Sequence, residues 1–232
     1  MARVSVMDIV DRNELERMLA RVLSKDLRAE MKKLLDLLGD PPDLSKVPYE
    51  YWQNGWKDIQ RDVEPILVDT FISQAESLMN SVGIGSDWAQ FNMIAADWGR
   101  AYSYNLVTGM EGTTRSALEK LLQKNVPGYF EEGLTSKELA RRLEPQFGAV
   151  RSEMIAVTET TRAAVEGERA YVQELVKETG REMIPIWLTA NDDRVCVICG
   201  PKNGKPITDG QFPPAHPRCR CGVAWEWPKD MA

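Results

Sequence analysis

At 232 residues, 43% of them hydrophobic and 28% charged, the chain has enough apolar material for one large or two smaller packed domains, which excludes a disordered chain. Its 29 Lys and Arg against 35 Asp and Glu leave a net charge of −6, which disfavours a protein that engages nucleic acid over its whole surface but leaves a local basic face open. No apolar run is long enough to span a membrane, and acids at Asp8 and Asp11 interrupt the N-terminus where a secretory signal would need an apolar centre.

In chain order, residues 11–38 predict a first helix. Leu15, Met18, Leu19 and Val22 form one stripe, and Leu27, Met31, Leu34 and Leu38 form another that is rotated away from it. That rotation means either a bend near Ser24 or one helix meeting two partners, and Gly39, Pro41 and Pro42 end the element. A second helix is expected over 49–79, kinked or split by Pro65, with a turn at Gly83, Gly85 and Ser86 after it. A third begins at Asp87 and lines Trp88, Phe91, Ala95, Trp98 and Tyr102 along one face, a spacing that reads as core. A fourth runs from near Thr113 to before Pro127. Thr135 with Glu138 is a capping-box pattern that starts a short fifth, and a sixth covers 149–178 and stops at Gly180.

Beyond Gly180 the character changes. Residues 184–189 (IPIWLT) and 223–227 (VAWEW) predict two strands, and the glycines and prolines between them mark turns. The expected fold is therefore mainly α with some β: a multi-helix body over residues 1–180 and a small β-rich, loop-rich module over 181–232. Trp187, Phe212, Trp225 and Trp227 are most of that module's expected core.

All four cysteines fall in this module. Cys196-Val-Ile-Cys199-Gly has the form of a zinc knuckle, in which two thiolates converge on one ion and the glycine permits the tight turn. His216-Pro-Arg-Cys219-Arg-Cys221 then offers His216, Cys219 and Cys221, one donor more than a tetrahedral site needs, and the spacing does not choose among them. A structural Zn²⁺ is the expected cofactor. Disulfide pairs, unliganded buried cysteines and a redox CxxC are the competing readings. The last needs a helix N-terminus at the first cysteine, which Gly200, Pro201 and Gly204 oppose.

Enzymatic signatures are sparse. His216 is the only histidine, and neither a phosphate-binding nor a dinucleotide-binding glycine loop occurs, so a non-enzyme is expected. Asp192, Asp193 and Arg194 read as a turn, and Glu159–Arg162 and Glu166–Arg169 as solvated helix pairs. Arg218 and Arg220 are candidate phosphate contacts, but seven basic residues against six acidic ones after Gly180 make no nucleic-acid footprint. A metal-dependent nucleic-acid-binding module or nuclease is the alternative reading, and a toxin or transferase effector a more distant one.

One set of residues points further. Ile155-Ala-Val-Thr-Glu-Thr-Thr-Arg162-Ala on the sixth helix is followed by Trp187-x-Thr189, Asp193-x-x-Cys196-x-x-Cys199, Gly204-Lys205, Pro213-Pro214 and His216-Pro217-x-Cys219-Arg220-Cys221. Together they resemble the phage head-morphogenesis, or Mu F-like, minor capsid family of tailed bacteriophages. The motifs span about Ser152 to Gly222; Asp87 to Arg115 resembles the family's helical part less specifically, and the first 80 residues match only in general character. The resemblance implies a minor structural protein of the virion, made in the host bacterial cytoplasm and residing in the capsid interior or at the portal vertex. It also implies a part in head assembly or genome delivery. The implied partners are the portal protein, the major capsid protein or both, with packaged double-stranded DNA as a further contact. It implies no membrane segment, small-molecule substrate or catalytic activity.

Overall fold

The computed structural model describes residues 3–5, 9–54, 56–124, 135–189 and 195–228. Six helices carry most of them: α1 (Ile9–Leu38), α2 (Tyr49–Asn54), α3 (Lys57–Val82), α4 (Trp88–Lys124), α5 (Ser136–Phe147) and α6 (Ala149–Thr179). Three short strands, β1 (Arg3–Ser5), β2 (Ile184–Leu188) and β3 (Gly222–Glu226), form an antiparallel sheet in the order β1-β3-β2. The fold is mainly α with a small sheet, as expected; the pairing of β1 with β3 was not legible in the sequence.

Several boundaries differ from the sequence reading for physical reasons. Helix α1 is continuous through Ser24. Its fully buried residues are Leu19, Leu23, Leu27, Leu34 and Leu38, with Glu30 at 1% exposure occupying the slot that completes the i,i+3/i+4 row. A carboxylate in an apolar stripe made one row look like two. The second helix divides between Asn54 and Lys57, next to the buried Trp56, and Pro65 lies inside α3. The expected third and fourth helices are one element, α4. The Gly109, Gly112, Thr113 and Thr114 stretch resembles a break, but both hydroxyls turn back onto helix carbonyls, Thr113 onto Gly109 and Met110 and Thr114 onto Met110. The N-cap half of the capping box is present: Thr135 accepts a hydrogen bond from the Glu138 amide at 3.2 Å, while the Glu138 carboxylate accepts from Arg141 and Arg142. Gly180, at φ +66°, closes α6 with its amide on the Val176 carbonyl.

By contacts the chain falls into two compact units. They differ from the 1–180 and 181–232 division, because the last 52 residues share a unit with helical segments. The first unit comprises Met1–Leu19, Pro65–Gly99 and Met154–Ala232. Its core joins Phe71, Leu78, Phe91, Tyr171, Val172 and Leu175 with Val223 and Trp225 of β3. Phe71 stacks at tilted angles on Phe91 and Trp98, with ring centroids 5.7 and 4.9 Å away. At Gly167 the backbones of α3 and α6 approach closely: a Cβ there would strike the Phe71 carbonyl, so only glycine fits.

The second unit, Ala20–Glu64 and Arg100–Glu153, buries Leu27, Leu34, Trp56, Ile59, Leu118, Leu139 and Phe147. It is organised by Arg151, whose guanidinium donates to the Met110 and Gln146 carbonyls and to the Thr113 and Thr114 hydroxyls. Four acceptors around one buried cation explain how it is tolerated.

Candidate metal centre

The cysteine cluster is built by two tight turns in the first unit. In the first, the Gly200 amide bonds the Cys196 carbonyl at 2.9 Å and the Cys199 amide points at Cys196 Sγ at 3.4 Å, after which Gly200–Lys202 make one 3₁₀ turn. The second is His216-Pro217-Arg218-Cys219, closed by the Cys219 amide on the His216 carbonyl at 3.2 Å. Pro217 pre-sets the turn's second position, and its third, Arg218, adopts φ +61°, a place usually taken by glycine or asparagine. An arginine held there costs about 1 kcal/mol or more and persists only where the surroundings enforce it.

The two turns bring His216 Nε2 to 3.1 Å from Cys196 Sγ and 3.3 Å from Cys199 Sγ, and Cys199 Sγ to 3.9 Å from Cys219 Sγ. The donors form two overlapping triads, Cys196–Cys199–His216 and Cys199–Cys219–Cys221, that share Cys199. All five residues singled out in the sequence are therefore gathered in one place. A tetrahedral zinc ion requires sulfurs about 3.8 Å apart and a sulfur and an imidazole nitrogen about 3.6 Å apart, so the observed separations are within about 0.5 Å of a ligand shell. The histidine is also set for ligation. Its Nδ1 lies 2.8 Å from the Pro217 carbonyl, which can only accept; Nδ1–H donates, and the Nε2 lone pair faces the sulfurs.

Hydrogen bonds lower two of the four thiols. The backbone amide of Cys199 lowers the Cys196 thiol, and a hydrogen bond from Cys221 holds Cys219 down to about 5. Burial pushes Cys199 up to about 12, and its bond to Cys219 raises Cys221. All four cysteines are free thiols, and Cys199, Cys219 and Cys221 are buried with Trp187. The disulfide reading is not realised.

This cluster is tied to α6 by the residues of the helical motif. Thr158 Oγ1 accepts from the Arg218 amide at 2.9 Å, which helps to enforce the left-handed turn. Thr161 Oγ1 lies 2.7 Å from the Cys219 carbonyl and 2.8 Å from that of Val157, and it accepts from the Arg12 guanidinium. Arg220 is bidentate to Glu16 at 2.5 and 2.9 Å, so this candidate phosphate contact serves instead as an internal clamp. About two turns along α6 from Thr161, Trp225 Nε1 donates to Glu168 Oε2 at 3.1 Å; burial pushes that carboxyl up to about 8, against the pull of Trp225 and Arg12.

Glu159 and Arg162 do pair, at 3.3 Å, but Glu159 is buried and its side of the pair is not on a solvated face. Glu166 and Arg169 pair at 2.7 Å. Asp192, Asp193 and Arg194 lie outside the described residues. Sequence reasoning missed Arg12, Glu16 and Glu168. The available signal was charge at positions flanking the apolar rows of α1 and α6, where a buried ion pair and a surface one look alike.

Fold and site together define a helical protein in which one long helix carries a cysteine–histidine centre suited to a structural metal ion. Residues 110–224 match the family model described as "Phage Mu protein F like protein". This segment, which runs from the middle of α4 into β3, is similar to the Mu F-like phage family. No curated protein and no solved structure matches it.

Proposed function

We propose that this protein is a non-enzymatic minor structural component of a tailed-phage head, in which a zinc ion staples the C-terminal turns to α6. The observation that carries the reading is the family match over 110–224, which contains both the motif helix and the complete donor set. Portal and major capsid proteins are the partners this family reading implies, with a role in head assembly or genome delivery at the capsid interior or portal vertex. No described helix is long and apolar enough to cross a membrane, in keeping with a head component.

Cys196, Cys199, His216 and Cys219 are the proposed ligands. Cys219 is the fourth because it lies 3.9 Å from Cys199 and on the same tight turn as His216. Cys221 then serves Cys219 as a hydrogen-bond donor. A bound zinc ion supplies cross-linking here. His216 is turned into the thiols and so is not available as a general acid or base.

Two measurements test this. Elemental analysis of protein purified without added metal should find about one zinc per chain, retained in Cys221→Ser and lost in Cys199→Ser. Particles assembled from a phage lacking the gene and complemented with the wild-type chain should contain it; their exclusion of the protein would overturn the head assignment, and a zinc-free folded chain would overturn the staple.

A further inference from the structure

A cleft of about 440 Å³ opens in the first unit between α6 and the loops that follow the knuckle. Its α6 wall presents Arg162, Glu166 and Arg169, spaced i, i+4, i+7 and therefore on one helix face. The facing wall carries Lys202 and Ile198 of the knuckle and Phe212 of the loop. Arg169 lies over the Phe212 ring at 4.4 Å, which fixes its guanidinium at the cleft wall. Three cations line the cleft; Arg162 pairs with the buried Glu159 and Arg169 with Glu166, so the cations outnumber their acids by one, in a chain whose net charge is −6. The cleft is a local inversion of the protein's charge.

Its rim is equally unlike the rest of the surface. Val197 and Ile198, the two residues between the cysteines of the knuckle, are 91% and 55% exposed. The CxxC turn aims both sulfurs inward and leaves the two intervening aliphatic side chains outward, Ile198 lining the cleft and Val197 next to it in the chain. A cationic wall with an aliphatic rim is complementary to a strand that carries carboxylates next to aliphatic side chains. Nucleic acid is a poorer match, because phosphates gain nothing from the exposed aliphatic side chains of Val197 and Ile198.

We infer that this cleft docks an extended acidic–aliphatic segment of a partner protein, with carboxylates against Arg162, Arg169 and Lys202 and an aliphatic side chain against Val197 and Ile198. The inference deepens the structural role proposed above by naming the chemistry of the partner surface. It is tested on the purified full-length protein, so its failure is distinguishable from failure of the head assignment, which is read from particle composition.

The probe is a fluorescein-labelled hexapeptide alternating Asp and Leu. Controls are the same peptide with Lys for Asp and a labelled DNA duplex of equal charge. Fluorescence anisotropy should show the acidic peptide binding at least tenfold more tightly than either control and weakening as salt rises. Amide shifts in a nitrogen-15 spectrum should cluster at residues 162–169, 197–202 and 210–215. Val197→Asp, at a site too exposed to affect folding, should weaken binding at least tenfold, and Lys202→Glu should do the same. Equal binding of the two peptides, preference for DNA, shifts elsewhere, or a Val197→Asp protein that binds normally would each overturn the inference.

Discussion

Replacing Gly167 by alanine sets two effects of opposite sign against each other. In a helix interior, Gly→Ala ordinarily stabilises by about 1 kcal/mol through backbone entropy. At Gly167 the new Cβ would sit 2.8 Å from the Phe71 carbonyl carbon and 3.0 Å from its Cα, and closer still to the carbonyl oxygen. Comfortable carbon contacts begin near 3.5 Å, and the obstacle is backbone, so α3 and α6 must separate by roughly 1 Å. Overpacking of this kind costs about 1–3 kcal/mol, and the displaced Phe71 also loosens its contacts with Phe91 and Trp98, each worth about 0.5–1.5 kcal/mol. After the helix gain is subtracted, a net loss of about 2–3 kcal/mol is expected. In urea this lowers the midpoint by about 1 M at unchanged slope. Because Thr158 and Thr161 on the same helix anchor the cysteine turns, the variant should also retain less of the zinc proposed above. A midpoint that is unchanged or higher would show that propensity alone governs this position and that α3 and α6 do not meet there.

Four further outcomes are expected. Thr161→Val deprives the buried Arg12 guanidinium of an acceptor and the Cys219 carbonyl of a donor, and should cost about 2–3 kcal/mol in thermal or urea unfolding; Thr161→Ser should restore most of it. Glu168, raised to about 8 by burial, keeps its proton in the folded state while the unfolded chain releases it near the ordinary carboxylate value. Its contribution is therefore fully present below about pH 4.5 and is lost as pH rises to about 8, at up to about 1.4 kcal/mol per pH unit, so Glu168→Gln should flatten the fall in urea midpoint between pH 5 and 8. Arg218→Gly relieves a left-handed φ of 61° and should raise stability by about 1 kcal/mol while zinc content stays the same; a loss of metal would show that the side chain, not the turn, is needed. In Cys199→Ser, hydrogen exchange should accelerate across residues 195–221 and the adjoining face of α6, and protection in the second unit should persist; uniform protection throughout would show that the cysteines are incidental to the fold.

The sequence by itself determined those features that depend on near neighbours. The Thr135–Glu138 cap, the Gly180 stop, the two strands after it and the five candidate metal donors all lie in short windows whose physics is local. The donors were legible because thiolates and imidazole have few other reasons to cluster. The tertiary structure decided what depends on partners distant in the chain. It placed Glu30 in an apolar row, carried α4 through two glycines by turning two hydroxyls inward, and paired β1 with β3 across more than 200 residues. It also turned the two halves of the motif into one joint: Thr158 and Thr161 bond the turn that contains Cys219, a relation that spacing along the chain does not contain. Whether a buried charge is tolerable depends on which acceptors the fold brings to it, as Thr114 and the Met110 carbonyl are brought to Arg151, and no local pattern records that.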